Sequence, residues 1–276
     1  MKYITFILVL LTLTFTSCKR SEVIEEQETE TANQQLQADD TEDEVSNIAD
    51  ACMTTGSGFR TGEQDQILST CATVTKDTLG PNHYKVTVDF GPVNCASVGV
   101  KQRRGKILID IVGNYKDSGS VRTITFDNFY RNDKKIEGTR IITNAGKNSS
   151  GQYQWVVIAS DMKITRVDGS YHTWNSTRIR TMTKGYTTPT RQDDEYQITG
   201  FASGENSDGV SFTANITTPL IRRISCDWIT SGIIEFTNSK GQTRLLNYGT
   251  GNCDFEAVIE VTGKRGKVFT KTIIID

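Results

Sequence analysis

Along residues 210–217 (VSFTANIT) apolar and polar residues alternate strictly, with Val210, Phe212, Ala214 and Ile216 on one side and Ser211, Thr213, Asn215 and Thr217 on the other. Residues 255–261 (FEAVIEV) repeat the pattern through Phe255, Ala257, Ile259 and Val261. A period of two with one polar face predicts antiparallel sheet, one side toward a core and one toward water. The same pattern predicts about a dozen strands, at roughly 72–79, 84–90, 106–115, 121–130, 135–143, 152–167, 170–182, 194–203, 210–217, 232–237, 242–248, 255–263 and 268–275. Turn residues separate them: KDSGS at 116–120, RNDK at 131–134, Asp168-Gly169, Asp208-Gly209 and Lys240-Gly241. Asp-Gly between alternating segments is a strong hairpin signal, because two-residue hairpin turns need positive φ. Successive hairpins make a long meander. Residues 51–276 are therefore predicted as one all-β domain, an antiparallel meander closing as a barrel or as a sandwich of curved sheets. Only four prolines interrupt the chain, which suits continuous ladders.

The first 50 residues follow other rules. Lys2 gives a positive start, and residues 4–15 form an apolar run of signal-peptide length, too short to cross a bilayer. Thr16 and Ser17 then place small residues before Cys18. This arrangement resembles the lipobox of bacterial lipoproteins. The resemblance implies a signal peptide over 1–17, cleavage before Cys18, diacylation of its thiol and acylation of the new amino group. Two or three acyl chains, at about 0.8 kcal/mol per buried methylene, anchor a protein stably where one does not.

Residues 21–50 hold eleven Asp or Glu and no Lys or Arg. With so little apolar surface to bury, the stretch 18–50 is expected as a lipidated cysteine followed by a disordered acidic tether. Residues 41–51 (TEDEVSNIADA) carry one short helical spacing at Val45, Ile48 and Ala49. The net charge of −2 hides a split of +3 over 1–20, −11 over 21–50 and +6 over 51–276. The positive balance includes Lys101, Arg103, Arg104, Lys106, Arg222 and Arg223, expected as a solvated rim. Export argues against nucleic acid as a partner and leaves anionic polysaccharide or lipid phosphate as alternatives.

Two stretches echo one another: VDFGPVNC at 88–95 followed by RRGK, and LNYGTGNC at 246–253 followed by KRGK. Cys71 precedes the first copy's cysteine by 24 positions and Cys226 the second's by 27. In an oxidising compartment this suggests Cys71–Cys95 and Cys226–Cys253, each closing a loop worth roughly 3.5 kcal/mol on the chain-entropy model. Cys52 is then left over, and a Cys52–Cys71 pairing stays open.

Reaction chemistry is harder to find. His83 and His172 lie far apart, outside any metal-ligand motif, and read as surface strand residues. No C-x-x-C, G-x-S-x-G, P-loop or dinucleotide fingerprint is present, so neither a metal nor a cofactor is expected. Asp193, Asp194 and Glu195 are adjacent, and adjacent strand residues point to opposite faces, so they read as a charged turn and not a glycosidase pair. GENSDG at 204–209 lacks the first and twelfth ligands of a calcium loop. Trp155, in QWVVI, reads as core. Trp174, among polar neighbours in SYHTWNSTR, is the expected exposed aromatic, and with Tyr171 and His172 forms the candidate ligand-binding site.

The lipobox, the acidic spacer and the runs at 103–146, 168–178 (DGSYHTWNSTR) and 246–254 (LNYGTGNCD) together resemble an uncharacterised family of β-rich lipoproteins of Bacteroidota. The resemblance covers most of the domain and implies an outer-membrane location, periplasmic or surface-facing; it supplies no catalytic residues. The expected function is a non-enzymatic envelope lipoprotein, anchored to the membrane, whose β domain binds or scaffolds a partner, an envelope protein or glycan. The alternative is a carbohydrate-binding or carbohydrate-active surface lipoprotein.

Overall fold

The computed structural model describes residues 20–52, 72–96, 101–188, 190–262 and 268–275. Cys18 and Cys71 lie outside them. The domain is one antiparallel sheet, and its strands closely follow the predicted ones. They are β1 (Thr73–Gly80), β2 (His83–Asp89), β3 (Cys95–Ala96), β4 (Gln102–Val112), β5 (Val121–Arg131), β6 (Lys134–Lys147), β7 (Tyr153–Thr165) and β8 (Tyr171–Lys184). The chain continues through β9 (Glu195–Asn206), β10 (Ser211–Arg223), β11 (Ile229–Asn238), β12 (Thr243–Thr250), β13 (Glu256–Thr262) and β14 (Val268–Ile274). Neighbours in sequence are neighbours in the ladder from β1 to β14, with the two-residue β3 placed beside β4. The architecture is a curved meander sheet in which, among the described residues, β1 and β14 do not pair.

Each predicted turn joins two strands. At 131–134 Asn132 and Asp133 both take positive φ, the mirror-image turn whose twist matches a hairpin. At the β9–β10 turn the Asn206 side chain accepts from the Asp208 and Val210 amides, so the sequence that failed as a calcium loop is a side-chain-stabilised hairpin end. Register puts one alternating set inside. Val86 and Val88 of β2, Ile107, Ile109 and Ile111 of β4, Ile124 of β5, Ile142 of β6 and Val157 of β7 are all buried.

The N-terminal segment departs from expectation. The acidic stretch expected as a disordered tether is an α-helix, α1 (Arg20–Cys52), and every residue from Ala38 to Cys52 is buried. Consecutive residues of a helix point in all directions around its axis, so such a run is covered on every side, with contacts to strands from β4 to β12. The compositional argument for disorder treats the segment alone. It fails because the missing counter-charges sit 50 to 200 residues further along the chain. Within α1, Gln35 donates to Asp39 and Asn47 to Asp43, both at 3.0 Å and one turn apart.

The second echo copy closes as anticipated: Cys226 and Cys253 form a disulfide, with Cα atoms 5.4 Å apart, joining the β10–β11 and β12–β13 connections. Cys95 is also in a disulfide. Cys52 is a buried thiol, pushed up to about 12 by burial.

Candidate functional site

What α1 meets inside the sheet is arginine. Nine arginines are buried among the described residues: Arg103, Arg122, Arg131, Arg140, Arg178, Arg180, Arg191, Arg222 and Arg244. Strand geometry places them there. Arg122 stands two residues from buried Ile124, Arg140 two from Ile142, Arg222 two from Leu220 and Arg244 two from Leu246, so each holds an inward position of its strand. Facing them, α1 buries Asp39, Asp40, Glu42, Asp43, Glu44 and Asp50.

The pairs lie along the second half of the helix, between Asp39 and Asp50. Arg131 Nε donates to Glu44 Oε2 at 2.6 Å while its Nη2 donates to Asp40. Arg103 Nε donates to Glu44 Oε1 at 2.5 Å, and Lys101 Nζ reaches Asp40 at 3.1 Å. Arg178 donates to Asp39 at 2.9 Å, and the Tyr248 hydroxyl donates to the same carboxylate at 3.2 Å. Trp174 Nε1 and Ser176 Oγ both donate to Glu42 Oε1, at 2.5 and 2.7 Å, and Arg222 Nε donates to Asp43. Near the C-terminus Asp50 receives Arg122, with Arg180 at 3.5 Å and Arg191 at 3.9 Å. An aspartate in the last turn opposes the helix dipole, and these three cations offset it.

The charges feel their surroundings unequally. Burial would raise Glu44 and Asp50, but the adjacent cations outweigh it and hold both carboxyls below the usual range. Asp39 has one arginine, so burial wins and pushes its carboxyl up to about 6, with Glu42 adding repulsion. Arg140 is pushed down to about 10 by burial, with Arg180 and Arg178 adding to the effect against the attraction of Glu42. Between helix and sheet lies a cavity of about 20 Å³, lined by Asp39, Glu42, Asp43, Arg140, Arg178 and Arg180 among others. Among the described residues, the Nε and Nη1 of Arg140, Nη1 of Arg178, and Nε and Nη2 of Arg180 find no hydrogen-bond acceptor, and Asp43 Oδ1 finds no donor. A space of this size holds about one water molecule.

Several candidates from the sequence move. Trp174, expected exposed, is 1% exposed; its indole N–H faces Glu42, so an inward polar partner replaces the outward ligand. His172, expected on the surface, is equally buried, stacked between Trp174 at 5.5 Å and Phe212 at 5.0 Å. Neither ring nitrogen has a hydrogen-bond partner among the described residues, and burial, helped by nearby Arg166, pushes it down to about 3. Tyr171 stays half-buried under Lys163, so the three neighbours do not form one exposed site. Of the expected basic rim, Arg103 and Arg222 turn inward, while Arg104 pairs with Asp133 and Lys106 with Asp89 on the partly exposed outside. Trp155 is core, as expected. Among the described residues no group of three His, Cys, Asp or Glu side chains is placed to hold a metal.

One sequence signal marks the inward arginines: an arginine in phase with the apolar set of an alternating strand, as in RTI at 122–124, RII at 140–142 and RLL at 244–246. Comparison with family models, curated proteins and solved structures gives no match.

Proposed function

We propose that this protein is a lipid-anchored binding protein of the bacterial cell envelope, acylated at Cys18 at the outer membrane, that works by recognition and not by turnover. The observation that carries the reading is the arginine lining of the sheet, engaged on the carboxylates of α1. Guanidinium groups stay protonated at neutral pH and present rigid arrays of donors, which suits them to holding carboxylate and ill suits them to moving protons. The carboxylates that line the interior are already committed to those cations, so what the interior offers a partner is charge and shape. The helix begins two residues after Cys18, which links the anchored end of the chain directly to the binding interior. Burial of Trp174 removes the aromatic expected to be exposed, which a carbohydrate-binding face would use.

The anchor and the binding class are tested together. Cells carrying the wild-type chain or Cys18→Ala are fed an alkyne fatty acid and fractionated. The wild type is expected to take up label and stay with membranes, and the variant to do neither. Wild-type protein on vesicles is then titrated with poly-L-glutamate, poly-L-lysine and neutral dextran. Selective binding of poly-L-glutamate supports the reading, whereas selective binding of dextran replaces it with the carbohydrate alternative.

A further inference from the structure

The interior of the sheet holds a helix of the same chain, gripped by ion pairs. We propose that α1 is an exchangeable self-ligand: an acidic helical segment of another polypeptide takes its place among the arginines, and α1 leaves when it does. This inference rests on the binding reading above and adds the partner's class and the regulation of the site.

The first argument is charge. Eight of the buried arginines lie within 4 Å of the six buried helix carboxylates. Arg140, Arg178 and Arg180 line one cavity, and each leaves at least one N–H without an acceptor among the described residues. The wall therefore offers more donors than α1 accepts, and a segment with carboxylates at other heights can use them.

The second argument concerns what a permanent core would contain. Between Asp39 and Asp50 only Val45, Ile48 and Ala49 are apolar. Buried ion pairs stabilise no better than well-packed apolar residues of similar volume, so their use here is better explained by recognition than by stability. An interior lined by guanidinium groups also accepts water when vacated, where one lined by leucine would collapse.

An acidic peptide fits better than a polyanionic glycan because the lining is mixed. Ile198, Leu220 and Ile229 line the same cavity as the arginines, and Ala38, Val45 and Ile48 of α1 belong to the same apolar core as those three. A uniformly sulfated polymer has nothing to place there.

The test uses the full mature lipoprotein in vesicles, a fluorescent 21-residue peptide with the sequence of residues 32–52, and hydrogen exchange read by mass spectrometry. Saturable one-to-one binding is expected, with amides 39–50 of the chain exchanging at least tenfold faster while those of β5 to β8 stay protected. Asp50→Asn, which weakens the grip of α1, should bind the peptide about tenfold more tightly; if that variant does not fold, the wild-type titration decides alone. Absence of peptide binding, or binding with α1 still protected, overturns the proposal. Displacement of α1 by heparin but not by peptide overturns the partner class. Poly-L-glutamate binding with α1 undisturbed overturns the exchange while leaving the binding reading intact.

Discussion

The Nε of Arg131 donates to Oε2 of Glu44 at 2.6 Å across the interior of the sheet. The same guanidinium reaches Asp40, one helical turn earlier, so a single strand residue reads the i, i+4 spacing of the helix. Glu44 is held from a second side by Arg103 and from a third by Lys101. Glu44→Gln keeps the volume and removes the charge, leaving three cations short of a counter-ion. The expected cost is about 3–5 kcal/mol, the range for breaking a buried ion pair from one side. Urea titration followed by circular dichroism measures it; a loss below about 1 kcal/mol would show that the cluster is solvated.

Acid should act on the interior through groups of opposite sign. His172 has a folded value pushed down to about 3 from an ordinary 6.5. Below pH 6.5 the unfolded chain takes up that proton and the folded one does not, so stability is lost as pH falls toward 3, by about 1.4 kcal/mol per unit. Asp39 runs the other way: its folded value of about 6 exceeds an ordinary 3.8, so between those values the folded state binds more protons and gains stability as pH falls. The groups facing His172 are Trp174, Phe212 and Arg166. His172→Phe should therefore flatten the loss between pH 6.5 and 4, and Asp39→Asn should steepen it. Melting temperatures from pH 4 to 7.5 separate the two, and identical profiles for both variants would refute the assignment.

Strand positions and turns were legible in the sequence because alternation and turn chemistry are local. Asp168-Gly169 and Asp208-Gly209 specify hairpins through their own backbone preferences, whatever the rest of the chain does. The long partnership between α1 and the arginines was not legible, since it joins Glu44 to Arg131 and Glu42 to Trp174 across 87 and 132 residues. Trp174 and His172 were misplaced for a related reason. Polar neighbours suggest exposure only when the interior is apolar, and here the inward set of β8 is His172, Trp174, Ser176, Arg178 and Arg180.

Trp174 gives a second view of the same contact. Its indole N–H and the Ser176 hydroxyl share Glu42 Oε1, and the ring is almost wholly buried. Trp174→Phe removes a donor to a buried charge while retaining most of the apolar surface. Loss of a hydrogen bond to a charged group predicts a cost of about 1.5–3 kcal/mol. Ser176→Ala should cost less, because the indole still serves the oxygen. Thermal melting orders the two, and a Ser176→Ala loss larger than that of Trp174→Phe would contradict the geometry.

Gly200 sits directly opposite Arg178 in the β8–β9 ladder, with φ of +131°. A Cβ added there would lie 2.1 Å from the Thr177 carbonyl oxygen and 2.9 Å from the Arg178 Cα, so an alanine must both adopt a disfavoured backbone and push the strands apart. The strain falls where the inward arginines are positioned: spreading β8 from β9 carries Arg178 away from Asp39 and Arg180 away from Asp50. Gly200→Ala is expected to destabilise by more than about 1 kcal/mol. It should also lower amide protection in α1 more than in β4 or β12. Gly209→Ala makes the matched comparison, since its φ is +71° but no atom lies within 4 Å of the added carbon. That variant bears only the backbone penalty, so it should melt closer to wild type and leave α1 protected. Equal losses in both variants would mean that the close approach at Gly200 does not help to seat the helix.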